Sequence, residues 1–154
     1  MAVPTTGIDV LQMAMAMERT GKDFYDALAL ACDDAKVRQF CFVTAGEEAE
    51  HLATFQGIAK ELGQRTSGDP ASQTTAAELA ATAKKNIQPS PAVVRKVAIN
   101  GNLKEAVTMA IQMEQDAVQF YQGLIALLPD SAPAIHRIVE EEKAHVHRLR
   151  FLLS

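Results

Sequence analysis

Apolar positions recur at three- and four-residue spacing in four stretches of this chain, the period of a helix that buries one face. The first predicted helix covers about residues 8–31, with Thr6 as its N-cap and Asp9 three positions on. The second covers about 35–62; Asp33 or Asp34 can cap it, and Gly63 suits its C-terminal stop. The third covers about 103–128, capped by Asn102, with Glu105 placed to complete a capping box. The fourth covers about 131–152: Pro129 ends its predecessor, and Pro133 fits a first helical turn. The links inside each pair are short enough to force antiparallel hairpins.

The stretch between the pairs, residues 64–101, is too long for a bundle turn. It holds a polar run, Thr66 to Thr75, then a helix-like run, Ala76 to Lys85. A break follows at Gln88-Pro89-Ser90-Pro91, then a second short helix at Ala92 to Ala98. The expected fold is all-α: a four-helix bundle of two antiparallel hairpins joined by a long crossover with extra helix. One domain over residues 1–154 is expected.

Composition narrows the classes. The 154 residues suffice for a sizeable core, and helix formers dominate over the 8 Gly and 6 Pro, which argues against an all-β chain. Fifteen basic against 19 acidic residues, with no basic stripe, disfavour nucleic acid as a partner. No run of about 18 apolar residues exists, so no membrane span is expected, and the start of the chain lacks signal-peptide features. Cys32 and Cys41 form no C-x-x-C motif; they are expected to be inert buried thiols in a reducing, cytoplasmic compartment.

The two halves repeat each other. Met17-Glu18, Phe24-Tyr25 and Leu28 in the first helix match Met113-Glu114, Phe120-Tyr121 and Leu124 in the third. Glu48-x-x-His51 in the second matches Glu142-x-x-His145 in the fourth. Each of these glutamates lies on an apolar stripe: Glu18 with Leu11, Ala14, Met15, Gly21, Tyr25 and Leu28, and Glu142 with Ile135, Ile138, Val139, Val146, Leu149 and Leu153. Glu48 and Glu114 sit likewise, and His51 and His145 share the faces of the glutamates that precede them. Four converging core carboxylates would repel unless protonated, exposed or neutralised. Two divalent metal ions would balance them, and oxygen and imidazole donors suit iron, manganese or zinc.

This pattern resembles the ferritin-like superfamily, close to its rubrerythrin and bacterioferritin branches, over all four helices but not the crossover. The resemblance implies a ferritin-like four-helix bundle with two iron ions. In it, Glu18 and Glu114 would each serve one metal, Glu48 and Glu142 would bridge, and His51 and His145 would each give one nitrogen. Ala117 stands where rubrerythrins typically carry a further carboxylate, and no rubredoxin-like pair of C-x-x-C motifs follows. Ala49 stands where bacterioferritins carry their haem methionine, so no haem is expected. The chain runs nine residues past His145, which disfavours a storage cage.

The expected function is a rubrerythrin-like di-iron oxidoreductase of ferroxidase or peroxidase type. It would react with hydrogen peroxide or dioxygen, in iron homeostasis or oxidative-stress defence. An external electron donor such as rubredoxin would sustain it, and the resemblance implies a homodimer. Two alternatives stay open: a di-iron monooxygenase acting on a small organic substrate, and a non-catalytic iron-binding bundle. Tyr25 and Tyr121 are candidates to hydrogen-bond a ligand carboxylate or donate an electron, beside a purely structural role. Glu47, Glu50, Glu140 and Glu141 read as solvated surface charge, with Glu47 or Glu141 the candidates to stand behind a ligand or guide iron in. His136 and His147 read as surface residues, and Met13, Met15, Met17, Met109 and Met113 as core filler.

Overall fold

A computed structural model of the chain describes residues 6–63, 76–81 and 90–154. Five labelled helices follow in order: α1 Gly7–Ala31, α2 Ala35–Gly63, α3 Pro91–Asn100, α4 Leu103–Leu127 and α5 Ala132–Leu153. A single 3-10 turn, Pro129–Ser131, separates α4 from α5, and residues 76–81 form a short helical piece. The polar run Thr66 to Thr75 and the break at Gln88-Pro89 lie outside the described residues.

Local chemistry sets the helix starts. Thr6 and Asp9 form a complete capping box: the Asp9 amide donates to Thr6 Oγ1, and the Thr6 amide donates to Asp9 Oδ2 at 2.7 Å. Asp34, rather than Asp33, caps α2, its Oδ1 accepting from the amides of Lys36 and Val37. Asn102 caps α4 by accepting from the Glu105 amide at 2.8 Å; the reciprocal half of that predicted box is not formed. The sequence predicts a break from Gln88 through Pro91, yet Pro91 opens α3. Ser90 accepts from the Val93 amide, and a proline in the first turn needs no donor there.

Packing follows the hairpin plan. α1 lies chiefly against α2, and α4 against α5; α1–α4 and α2–α5 contacts close the bundle. The core is two apolar clusters. Val10, Leu11, Phe55, Ile58, Tyr121, Leu124 and Ile135 belong to one, and Phe24, Tyr25, Val37, Cys41, Val107 and Leu149 to the other. Each long helix passes from one cluster to the other, and Glu18, Glu48, Glu114 and Glu142 fall at the crossings. The crossover helices cap this core: Val94 and Ala98 of α3 join the second cluster, and Ala76 joins the first. Leu79 closes on Gly123, where a Cβ would stand 2.5 Å from the Leu79 Cδ1.

The Glu18 and Glu142 stripes are buried as their period requires, apart from Met15, which is partly buried, and chain-end Leu153, which is exposed. Met13, Met15, Met17, Met109 and Met113 are partly buried against the clusters, and His136 and His147 are exposed. Cys41 is buried, but Cys32 is only partly so, because it caps the C-terminus of α1 at the hairpin turn. Among the described residues no helix is long and apolar enough to cross a membrane.

Candidate metal centre

Between the two apolar clusters lies a polar layer. Glu18, Glu48, His51, Glu114, Glu142 and His145 are all at most 4% exposed. The helical period brings them there: Glu-x-x-His places both side chains of α2, and both of α5, on the core-facing stripe. α1 and α4 supply one glutamate each.

Their donor atoms gather into two groups. Glu18, Glu48, His51 and Glu142 offer atoms within 4.8 Å of one another, and so do Glu48, Glu114, Glu142 and His145. Glu48 and Glu142 belong to both groups. The two imidazole rings face each other across the layer, with centroids 5.9 Å apart.

Hydrogen bonding leaves the cluster unfinished without a cation. The Nδ1 of His145 faces three carboxylate oxygens: Glu142 Oε2 at 2.8 Å, Glu48 Oε1 at 3.1 Å and Glu114 Oε1 at 3.5 Å. One Nδ1 proton serves one acceptor, so Glu48 Oε1 is buried without a hydrogen bond despite its proximity, and Glu18 Oε2 is as well. Orphaned carboxylate oxygens in a dry core are costly. A cation between them would satisfy both and neutralise their repulsion, so the residues fit a metal ion on chemical grounds.

The charges tell the same story. Burial, then the charges of Glu114, Glu142 and Glu18, push the Glu48 carboxyl well above the usual range. Burial, then Glu114 and Glu18, do the same to Glu142. For Glu114 burial pulls upward too, but hydrogen bonding to His145 and Glu142 wins and holds it low. Burial opposes charge on His51, yet Glu18 and then Glu141 raise it to about 9. His145 is raised further, against burial, by Glu114, Glu142 and Glu48. Without metal, tighter proton binding at Glu48 and Glu142 relieves part of the repulsion in the layer.

Behind the inner six residues lies a second set of partners. With Nδ1 turned inward, His145 Nε2 donates to Glu47 Oε2 at 2.8 Å, and His51 Nε2 donates to Glu141 Oε2 at 2.7 Å. Arg148 approaches Glu47 at 3.3 Å, and Arg137 Nε donates to Glu141 at 3.1 Å. Such a carboxylate fixes the tautomer and aim of a ligating imidazole. Glu47 and Glu141 are thus tied to the site and only partly solvated, whereas Glu50 and Glu140 are exposed. A sequence signal existed: an extra glutamate directly precedes each Glu-x-x-His. Tyr25 Oη donates to Glu114 Oε1 at 2.5 Å, and Tyr121 Oη donates to Glu18 Oε1 at 2.6 Å. Each tyrosine therefore reaches the glutamate of the opposite hairpin, not the one seven residues before it. Both phenols stay protonated, raised by burial and then by the carboxylates they serve.

An all-α ferritin-like bundle with a buried layer of four glutamates and two histidines that can hold metal defines the class of this protein. The rubrerythrin family model matches residues 9–153, nearly the whole chain, and the protein belongs to that family. No curated protein and no solved structure matches it at a significant level.

Proposed function

We propose that the layer holds two iron ions and that the protein is a di-iron oxidoreductase acting on hydrogen peroxide or dioxygen. The carrying observation is the pair of four-residue donor groups that share Glu48 and Glu142. Glu18 and His51 would hold one ion, Glu114 and His145 the other, and Glu48 and Glu142 both. Bound iron supplies one-electron redox chemistry, and the family supports iron over manganese or zinc.

The chain's own residues supply the rest. Glu47 and Glu141 lock the imidazoles with Nδ1 inward. Tyr25 and Tyr121 steady the two unshared carboxylates and keep a proton on each phenol. The apolar clusters above and below exclude water, so charge at the centre is balanced locally. Ferroxidation or peroxide reduction, in iron homeostasis or oxidative-stress defence, follows from this reading. Two unpaired cysteines suit a reducing, cytoplasmic compartment. A homodimer of single-domain chains, served by an external electron donor such as rubredoxin, completes the proposal.

Cavity size weighs against the monooxygenase alternative. The cavity that reaches Glu48, Glu114 and Glu142 among the described residues has a volume of about 20 Å³, against the hundreds of cubic ångströms an organic substrate occupies. A groove of about 610 Å³ lies along the outer face of α4, but it is lined by none of the six.

Anaerobic ferrous loading followed by rapid mixing tests the proposal. A near-ultraviolet ferric band that forms faster with peroxide than with dioxygen is the expected result. A faster reaction with dioxygen would shift the reading to a ferroxidase. Iron that binds but oxidises with neither would leave a structural metal and overturn it.

A further inference from the structure

The 20 Å³ cavity lies between α1 and α4, and its walls repeat across the two halves of the chain. Met17, Thr20 and Gly21 of α1 face Met113 and Ala117 of α4, with Glu48, Glu114 and Glu142 at the inner end. Met17 and Met113 each directly precede the glutamate that their helix contributes, and Gly21 and Ala117 each follow that glutamate by three residues. The repeat therefore puts a methionine and a small residue on each side of one opening.

The small residues create the space. Gly21 is buried, and a Cβ there would stand 2.7 Å from Glu48 Oε2. A larger side chain at Ala117, on the opposite wall, would fill a volume that holds about one water-sized molecule. Glu48 lines the space, and its Oε2 is the atom a Cβ at Gly21 would meet, so an incoming polar molecule meets a carboxyl group. Met113 lines both this cavity and the 610 Å³ groove outside α4. Its side chain has three rotatable bonds and no branching, the properties of a movable plug.

We infer that the α1–α4 cleft is the route by which small oxidants reach the centre, with Met113 as its gate and Gly21 and Ala117 as its size filter. This rests on the proposed function for the identity of the oxidant, but the opening itself is a property of the chain. The filter passes a molecule the size of dioxygen or hydrogen peroxide and rejects an alkyl hydroperoxide.

Two measurements test it, the first without iron. In metal-free Ala117→Cys protein, methyl methanethiosulfonate and a bulky nitrobenzoate disulfide are compared by peptide mass spectrometry, which separates the introduced thiol from Cys32 and Cys41. The small reagent should label the introduced thiol in the native state and the bulky one should not. Adding Met113→Ala should speed bulky labelling on the order of tenfold, because the barrier is local opening. Equal labelling by both reagents, labelling only after unfolding, or no effect of Met113→Ala overturns the inference.

The second uses iron-loaded wild type with hydrogen peroxide and tert-butyl hydroperoxide. The rate ratio should favour hydrogen peroxide by about a hundredfold, and Met113→Ala should narrow it with iron content unchanged. Similar rates for both oxidants in wild type would overturn the filter. If neither oxidant reacts while thiol labelling shows the size limit, the proposed oxidoreductase fails and the opening stands.

Discussion

At the scale of single residues, the charge of Glu48 and Glu142 decides most. Both carboxyls are pushed upward in the metal-free protein, by burial first and neighbouring glutamates second. Glutamine imitates the protonated acid in size and polarity. Glu48→Gln or Glu142→Gln should therefore leave metal-free stability within about 1 kcal/mol of wild type, or raise it, while metal binding is lost. Chemical denaturation of metal-free protein checks this, and a large loss of stability would count against convergent carboxylates. Tyr25→Phe removes the donor to Glu114, a carboxylate held low and buried. A cost of about 1–3 kcal/mol in the same assay is expected, since a charged group loses a hydrogen bond it cannot replace from water. Burial pushes the Cys41 thiol up to about 12. A thiol-reactive dye at pH 8 should find Cys32 in the native chain and Cys41 only after unfolding.

At the scale of elements, what the sequence made legible was local. The four long helices and their caps depend on neighbours within four residues, as at Thr6 with Asp9 and Asn102 with Glu105. Glu48 and His51, or Glu142 and His145, share a face for the same local reason. The partnerships that stayed hidden all cross between hairpins. Glu47 serves a histidine on α5, Glu141 one on α2, and each tyrosine the opposite hairpin's glutamate. No periodicity within one helix encodes such a contact, and a glutamate at the edge of a stripe looks like surface charge. Pro91 misled for a different reason: a proline ends one helix or begins another, and the Ser90 cap decides which. The crossover was legible as length but not as packing. Leu79 on Gly123 shows that packing, and Gly123→Val should dislodge residues 76–81 and speed proteolysis in the crossover. Iron content should not change, because Gly123 is about two and a half turns from Glu114 on α4.

At the scale of the whole molecule, metal and protons compete for one buried layer. In metal-free protein Glu48 and Glu142 hold their protons more tightly than free carboxyls, and His51 keeps its proton up to about pH 9. Metal must displace them, so apparent affinity should rise with pH and fall as the solution becomes acid. Calorimetric titration with redox-inert zinc in two buffers of different ionisation enthalpy should show net proton release near neutral pH. Binding without release would mean that the carboxylates were already ionised. Metal should also raise the thermal midpoint of the bundle, because it binds only the assembled layer.

The most direct test of the account counts iron per chain after anaerobic ferrous loading and desalting, in wild type, Glu48→Gln and Glu142→Gln. Two shared and four unshared ligands require about two irons per wild-type chain, and a sharp loss when either shared carboxylate is removed. No retained iron in wild type, or equal iron in all three proteins, would contradict the claim that these six residues form a metal centre.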